Sequence, residues 1–204
     1  MNTKAKICGI RTIEAALGCV KFGADFLGFN FVSTSRRFIP PLKAREIIEE
    51  LPKEIKIVGV FQNESMEEIK KAVGLLRLDF VQLHGREGRE YSSLTQYAGV
   101  IKAFSLGSDF DSTKLLEEME TYNVDYFLLD RNVQGEGVQL NLQRVKEVTV
   151  HYPIFLAGGL TSKNIDIIAH VAQPYAVDIA GGVETYGETD LDKVKEVIGR
   201  IKHE

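Results

Sequence analysis

The stretch Ile154 to Gly182, IFLAGGLTSKNIDIIAHVAQPYAVDIAGG, decides how the rest of the chain is read. Ile154-Phe155-Leu156-Ala157 is a short apolar run with no polar alternation, which is how a strand reads when both faces of its sheet are covered. It ends on Gly158-Gly159. A helical stretch follows, starting at Ser162 or Lys163, and then a second apolar run, Ala176 to Ile179, ends on Ala180-Gly181-Gly182. Paired glycines let backbone N–H groups approach an anion closely, and the helix or turn that follows adds a favourable dipole. Glycine also serves tight turns, so each pair alone is a weak signal.

Working outward, the same unit recurs toward both ends. Strands are expected at Ala5–Cys8, Phe26–Phe31, Ile55–Phe61, Phe80–Leu83, Val100–Phe104 and Tyr126–Leu129. Helices are expected from Thr12, from Pro40-Pro41 to Leu51, from Ser65, over Arg89–Tyr97, over Ser112–Tyr122, around Leu142–Val148 and over Leu191–Ile201. Thr12 is a plausible cap, and Ser65-Met66-Glu67-Glu68 fits a capping box. A Gly-containing loop at Gln134 to Gly137 precedes the sixth helix. Eight strand–helix units in 204 residues, with no linker and no spare element, point to α/β class: one closed, parallel, eight-stranded (β/α)8 TIM barrel over residues 1–204. A doubly wound open sheet normally uses five or six strands and places its nucleotide loop after the first. Here the Gly-rich loops come late, after strands 7 and 8, where barrels of this kind often bind phosphate.

Composition narrows the function. Hydrophobic residues make up 44%, enough for a full core, and 25 basic against 29 acidic residues give a net charge of −4. No basic arm or stripe stands out, which argues against nucleic acid. No apolar run is long enough to span a bilayer, and no secretory signal is evident. Cys8 and Cys19 do not make a disulfide scaffold, and the four histidines are scattered without zinc spacing. The expectation is a cytoplasmic protein, monomer or homodimer, with no metal, no cofactor and no membrane or nucleic-acid partner, acting on a small phosphorylated molecule.

Reactive residues of such barrels sit at the carboxyl ends of the strands. That filter selects Cys8, Asn30, Gln62, Gln82 with His84, Ser105, Asp130 and Asp178. Cys8 precedes Gly9, and its thiolate suits proton abstraction from carbon if donors lower its pKa; otherwise it is a small core residue. Asp130 follows three apolar residues, a costly place for a carboxylate without water, partner or ligand. Apolar surroundings would suit it as a general acid; a loop cap is the plainer reading. Asp178 lies inside strand 8, as a substrate ligand or one half of a structural ion pair. His84 contacts substrate or caps its loop. Arg36 and Arg37, after strand 2, could close over an anion. Cys19 reads as helix packing, and His151, His170 and His203 as surface residues.

An ordered series of segments resembles the phosphoribosylanthranilate isomerase family of tryptophan biosynthesis over essentially the whole chain. It runs through Lys6-Ile7-Cys8-Gly9-Ile10, Gly23-Ala24-Asp25 with Gly28-Phe29, Ser35-Arg36-Arg37-Phe38-Ile39, Val58-Gly59-Val60-Phe61 and Val81-Gln82-Leu83-His84-Gly85. It continues with Leu128-Leu129-Asp130, Ala157-Gly158-Gly159-Leu160 with Asn164, and Ala176-Val177-Asp178 with Gly182-Val183-Glu184. The resemblance implies an Amadori rearrangement of N-(5′-phosphoribosyl)anthranilate needing neither metal nor cofactor. It implies Asp130 as the acid that opens the furanose ring and Cys8 as the base at C2. Arg37 would contact the anthranilate, His84 and Asp178 would line the site, and Gly158, Gly159, Gly181 and Gly182 would hold the phosphate.

The chain departs from the family's pattern at three places. Many members carry Gly-(Ser/Thr)-Gly-Lys and an Asp after the acid, where this chain has Gly135-Glu136-Gly137-Val138 and then Gln139-Leu140-Asn141. Ala180-Gly181-Gly182 replaces the usual Ser-Ser-Gly, and Thr189 stands where a lysine is expected. The alternatives are an isomerase of a related phosphorylated aminoaldose, such as the two-phosphate ribonucleotide of histidine synthesis, and a non-catalytic phosphate-binding barrel. The first lacks an evident second Gly-rich site at Phe61-Gln62-Asn63, and retention of Cys8 with Asp130 argues against the second.

Overall fold

The computed structural model describes residues 3–131 and 141–202. Eight parallel strands close into a barrel in chain order: β1 Lys4–Cys8, β2 Phe26–Asn30, β3 Lys56–Phe61, β4 Phe80–Leu83, β5 Gly99–Leu106, β6 Tyr126–Arg131, β7 Ile154–Leu156 and β8 Ala176–Ile179. β1 closes the ring against β8, with Lys6 opposite Asp178 and Ile7 opposite Ile179. Helices α1 (Ile13–Lys21), α2 (Pro41–Glu49), α3 (Met66–Leu76), α4 (Ser112–Met119), α5 (Leu142–Thr149), α6 (Ile165–Ala172) and α7 (Leu191–Lys202) follow their strands. Thr12 caps α1 by accepting from the Ala15 N–H; at Ser65 half of the expected capping box forms, Ser65 accepting from the Glu68 N–H while its own N–H donates to Glu64 instead. Among the described residues no helix is long and apolar enough to cross a membrane.

Alternation along each strand sorts the side chains into two shells. One parity faces the helices and forms the large outer core, including Ile7, Leu27, Phe61, Val81, Leu129, Leu156 and Val177. The other points into the barrel, where Phe26, Val58, Ile101, Leu128, Phe155 and Ala176 pack with Phe80, Tyr126 and Tyr175. Phe26, Phe80 and Tyr126 open their strands, so this cluster stops the amino end of the barrel. Its rings meet edge to face, with Phe26 and Phe155 at 5.1 Å and Tyr126 and Phe155 at 5.4 Å. The same inward parity, carried two to four residues further along, places polar side chains at the carboxyl end.

Three elements differ from the sequence reading. Arg89–Gln96 is a 3₁₀ helix, where an α-helix was expected. Only Leu94 is buried on it, and Ser93 and Thr95 hydroxyls donate to the carbonyls of Glu90 and Ser92, competing for the groups an α-helix needs. Helix α6 starts at Ile165, later than expected, because Asn164 folds back to accept from the Thr161 N–H at 2.9 Å and holds residues 161–164 in a turn. After β8 the chain makes a 3₁₀ turn, Gly181–Val183, and then an unanticipated hairpin of β9 (Glu184–Thr185) and β10 (Glu188–Thr189). The loop expected at Gln134 to Gly137 lies outside the described residues.

Candidate active site

The carboxyl end of the barrel opens into a cleft of about 560 Å³. Cys8, Arg37, His84, Asp130, Asp178 and the two glycine pairs all line it. Their convergence follows from topology: each sits at the end of a parallel strand or in the loop that follows it. Asn30, Gln62 and Gln82 also face the cleft, whereas Ser105 lines a second cavity beside it.

Cys8 is the last residue of β1, and Lys6, two residues back on the same face, is completely buried. Lys6 Nζ donates to Asp178 Oδ1 at 2.8 Å across the β1–β8 seam. A buried ammonium is tolerable only with such a partner. Burial disfavours the charged amine, but Asp178 and Cys8 more than offset it, so Lys6 is held charged, above its usual range. Burial pushes the Cys8 thiol up, and Lys6 and Arg37 pull it back only in part while Asp178 adds to the rise. Asp178 is thus paired structurally while its side chain still borders the cleft. Lys6 was not selected from the sequence. Its signal was a lysine inside an apolar strand at the same parity as Cys8.

On the far side, His84 Nε2 lies 3.2 Å from Asp130 Oδ2, and Gln82 Nε2 lies 3.0 Å from His84 Nδ1. With the Gln82 amide donating to Nδ1, the imidazole offers its Nε2–H to Asp130, a self-consistent neutral tautomer. Asp130 Oδ1 is turned toward Gly158, where an added Cβ would stand 2.9 Å away.

Between these two walls lie the glycine pairs of β7 and β8. Gly158 and Gly159 hold φ values of +93° and +71°. These are left-handed conformations that suit glycine. Arg131, immediately after Asp130, lays its guanidinium against Gly159 and joins the cleft wall. It is a further site residue that the sequence reading passed over. At Gly182 a Cβ would collide with the Leu160 carbonyl oxygen, so the β7 and β8 loops meet backbone to backbone there.

Arg37 lies along Gly9, and its Nε and Nη2 both donate to Glu184, the latter at 3.0 Å. Arg36 Nη2 reaches the same carboxylate at 2.7 Å.

A second buried pair braces the β4 side. Glu87 accepts from Lys102 Nζ at 3.0 Å, from the Asn63 N–H at 2.7 Å and from the Gly85 N–H at 2.8 Å. This fixes the loop that follows His84.

Residues 5–200 match the family model described as N-(5′-phosphoribosyl)anthranilate (PRA) isomerase. The chain is 43% identical to an N-(5′-phosphoribosyl)anthranilate isomerase of Geotalea uraniireducens, with 98% of each chain covered. It superimposes on the crystal structure of phosphoribosyl anthranilate isomerase from Thermotoga maritima with a TM-score of 0.91 at 35% identity, covering 98% of this chain and 99% of that one. A phosphoribosyl anthranilate isomerase in complex with reduced 1-(o-carboxyphenylamino)-1-deoxyribulose 5-phosphate matches at a TM-score of 0.88 and 34% identity, covering 98% of this chain and 99% of that one. A family match spanning nearly the whole chain, on a barrel of the same architecture, shows that this chain belongs to the N-(5′-phosphoribosyl)anthranilate isomerase family.

Proposed function

We propose that this chain converts N-(5′-phosphoribosyl)anthranilate to 1-(2-carboxyphenylamino)-1-deoxyribulose 5-phosphate, with Asp130 as general acid and Cys8 as general base. The observation that carries the assignment is the order of walls around the cleft. Going round the closed barrel, Asp130 on β6 is followed by the glycine pairs of β7 and β8 and then by Cys8 on β1. A phosphate held by the backbone N–H groups of Gly158, Gly159, Gly181 and Gly182 hangs the sugar between an acid and a base.

In that pose Asp130 protonates the furanose ring oxygen as the C1–oxygen bond breaks. The nitrogen lone pair moves in to form the iminium. Cys8, as thiolate, removes the C2 proton, and the electrons fall into an enolamine that tautomerises to the ketone. His84 occupies Asp130 Oδ2 and leaves Oδ1, on the Gly158 side, for the sugar. It acts as a positioning residue. The thiol, held up by burial and by Asp178, keeps its proton in the free site at neutral pH, so turnover draws on the minor thiolate form. Lys6 makes that form accessible. In this reading Arg37 meets the anthranilate carboxylate, and residues 1–204 act as one barrel unit.

The test is turnover of phosphoribosylanthranilate made in situ, followed by loss of substrate fluorescence. Wild type should turn over, and Cys8→Ala and Asp130→Asn should each lose about 10²–10⁴-fold in kcat. A variant that keeps wild-type kcat removes that residue from its role. A folded wild type without turnover overturns the reaction itself.

A further inference from the structure

Glu184 has no part in the acid–base chemistry, yet it is buried and paired with Arg36 and Arg37, which line the cleft. It follows the 3₁₀ turn Gly181–Val183 and opens β9. Its side chain is only 8% exposed. Both carboxylate oxygens are taken by arginines of the β2 loop: Oε1 by Arg37 Nε, and Oε2 by Arg37 Nη2 and Arg36 Nη2. The loop is tied a second time through its backbone. Arg11 Nη1 donates to the Arg36 carbonyl at 3.0 Å, while Arg11 Nη2 donates to the Gly187 carbonyl at 2.7 Å and to Glu188 at 2.6 Å.

A guanidinium has two edges that can bind a carboxylate bidentately, the Nε/Nη side and the Nη1/Nη2 end. Glu184 takes the side edge of Arg37. The end edge, Nη1 with the second hydrogen of Nη2, is left for another acceptor, and Arg37 lines the cleft beside Cys8 and Gly181. The charge balance points the same way. Two arginines and one glutamate leave one positive charge, matched to a single carboxylate. Without Glu184 the Arg37 guanidinium would lose the partner that fixes its orientation, and ordering it would be left to the ligand.

We infer that Glu184 is a positioning and specificity-determining residue, fixing the Arg37 fork so that its free end recognises the carboxylate of an ortho-carboxylated arylamine on the phosphorylated sugar. This rests on the proposed activity and on Arg37 as the carboxylate contact. The prediction is a KM effect confined to carboxylated substrates. Loss of the charged bidentate contact should weaken recognition by about 10- to 100-fold.

The experiment compares Glu184→Gln, Glu184→Ala and Glu184→Asp on two substrates, the phosphoribosyl adducts of anthranilate and of aniline. Glu184→Gln should raise KM for the anthranilate adduct at least tenfold with kcat within about threefold, and leave kcat/KM for the aniline adduct unchanged. Glu184→Asp, which keeps the charge, should fall between Gln and wild type. Equal losses on both adducts would make Glu184 merely structural and overturn the inference, as would no loss on either. Binding of the reduced ketose product and of its des-carboxy analogue, followed by fluorescence titration, needs no turnover. Selective weakening of the carboxylated ligand in Glu184→Gln would uphold the inference even where wild type fails to turn over, and equal weakening of both would overturn it.

Discussion

Replacing Lys102 with methionine keeps the length of the side chain and removes its charge from a site with almost no solvent. Lys102 and Glu87 side chains are 4% and 0% exposed. After the change Glu87 retains the Asn63 and Gly85 N–H groups, at 2.7 and 2.8 Å, but its negative charge has no counterion, and the Gly85 carbonyl loses its 2.8 Å donor. Removing one partner of a buried pair costs about 3–5 kcal/mol. For a chain of this size each kcal/mol moves Tm by about 2–4 °C, so Lys102→Met should melt roughly 6–20 °C lower. Urea unfolding at pH 7 measures the free energy directly. The double variant Lys102→Met with Glu87→Gln should be more stable than Lys102→Met alone, since no charge is left buried.

The pH dependence gives a second readout. Burial raises the Glu87 carboxyl, but the Asn63 N–H and the Lys102 ammonium outweigh it, leaving the group below the usual 4.5. A depressed folded value contributes stability that is present above the unfolded value and lost as pH falls through the folded one. Wild type therefore loses this contribution below pH 4.5. In Lys102→Met the unpaired Glu87 is relieved by protonation, so the gap to wild type should narrow on acidification. A Lys102→Met protein within about 1 kcal/mol of wild type at pH 7, with a gap independent of pH, would refute the reasoning.

Two further outcomes test the cleft. Gly182→Ala puts a methyl into the Leu160 carbonyl and pushes the β7 and β8 loops apart; KM and inorganic phosphate inhibition should both weaken by about tenfold or more, equivalent to roughly 1.4 kcal/mol, and unchanged phosphate inhibition would remove Gly182 from that site. The pH profile of kcat/KM should rise toward alkaline pH as the Cys8 thiol ionises; Asp178→Asn should move the midpoint down and Lys6→Met should move it up, in line with the sign of each neighbour's effect, and shifts in the reverse sense would detach these two charges from the base.

The legible parts of the sequence were those where one local rule dominates. Strands buried on both faces read as apolar runs, and β4 and β8 fell where their runs fell. The candidate residues came together because the end of a parallel strand is a topological address. Segment 89–96 has the period of an α-helix, but Leu94 alone is buried on it and the Ser93 and Thr95 hydroxyls take carbonyls that an α-helix needs, so it winds as a 3₁₀ helix. The hairpin after β8 is only two residues per strand, but Tyr186-Gly187 was its signal: both hold positive φ, 52° and 82°, as a type I′ turn requires. Partnerships were the illegible part. Lys6 and Asp178 are 172 positions apart, as are many residues that never meet, and only closure of β1 on β8 pairs them. Nothing local to Glu184 says that two arginines of the loop after β2 share it.

That closure links the stability of the barrel to its chemistry. Phe26, Phe80, Tyr126, Phe155 and Tyr175 seal the amino end with interlocked rings. Lys6 reaches from the level of Phe155 toward Asp178 on the mouth side, and Cys8 stands two residues further along β1. An aromatic floor keeps water from reaching the ion pair from below, so its field acts on the sulfur through a medium far less screening than water. Burial raises the Cys8 thiol first, and the two charges then act on it with opposite sign, so their balance modulates how readily the thiolate forms. Strand register controls that balance. Slipping β1 by one residue would turn Lys6 and Cys8 outward and bring Ala5 and Ile7 in, at once breaking the outer core and emptying the position proposed for the base. The hydrophobic cost of that slip is what holds the proposed acid–base geometry in place, so the tuning of the thiol needs no separate device beyond the packing that closes the barrel.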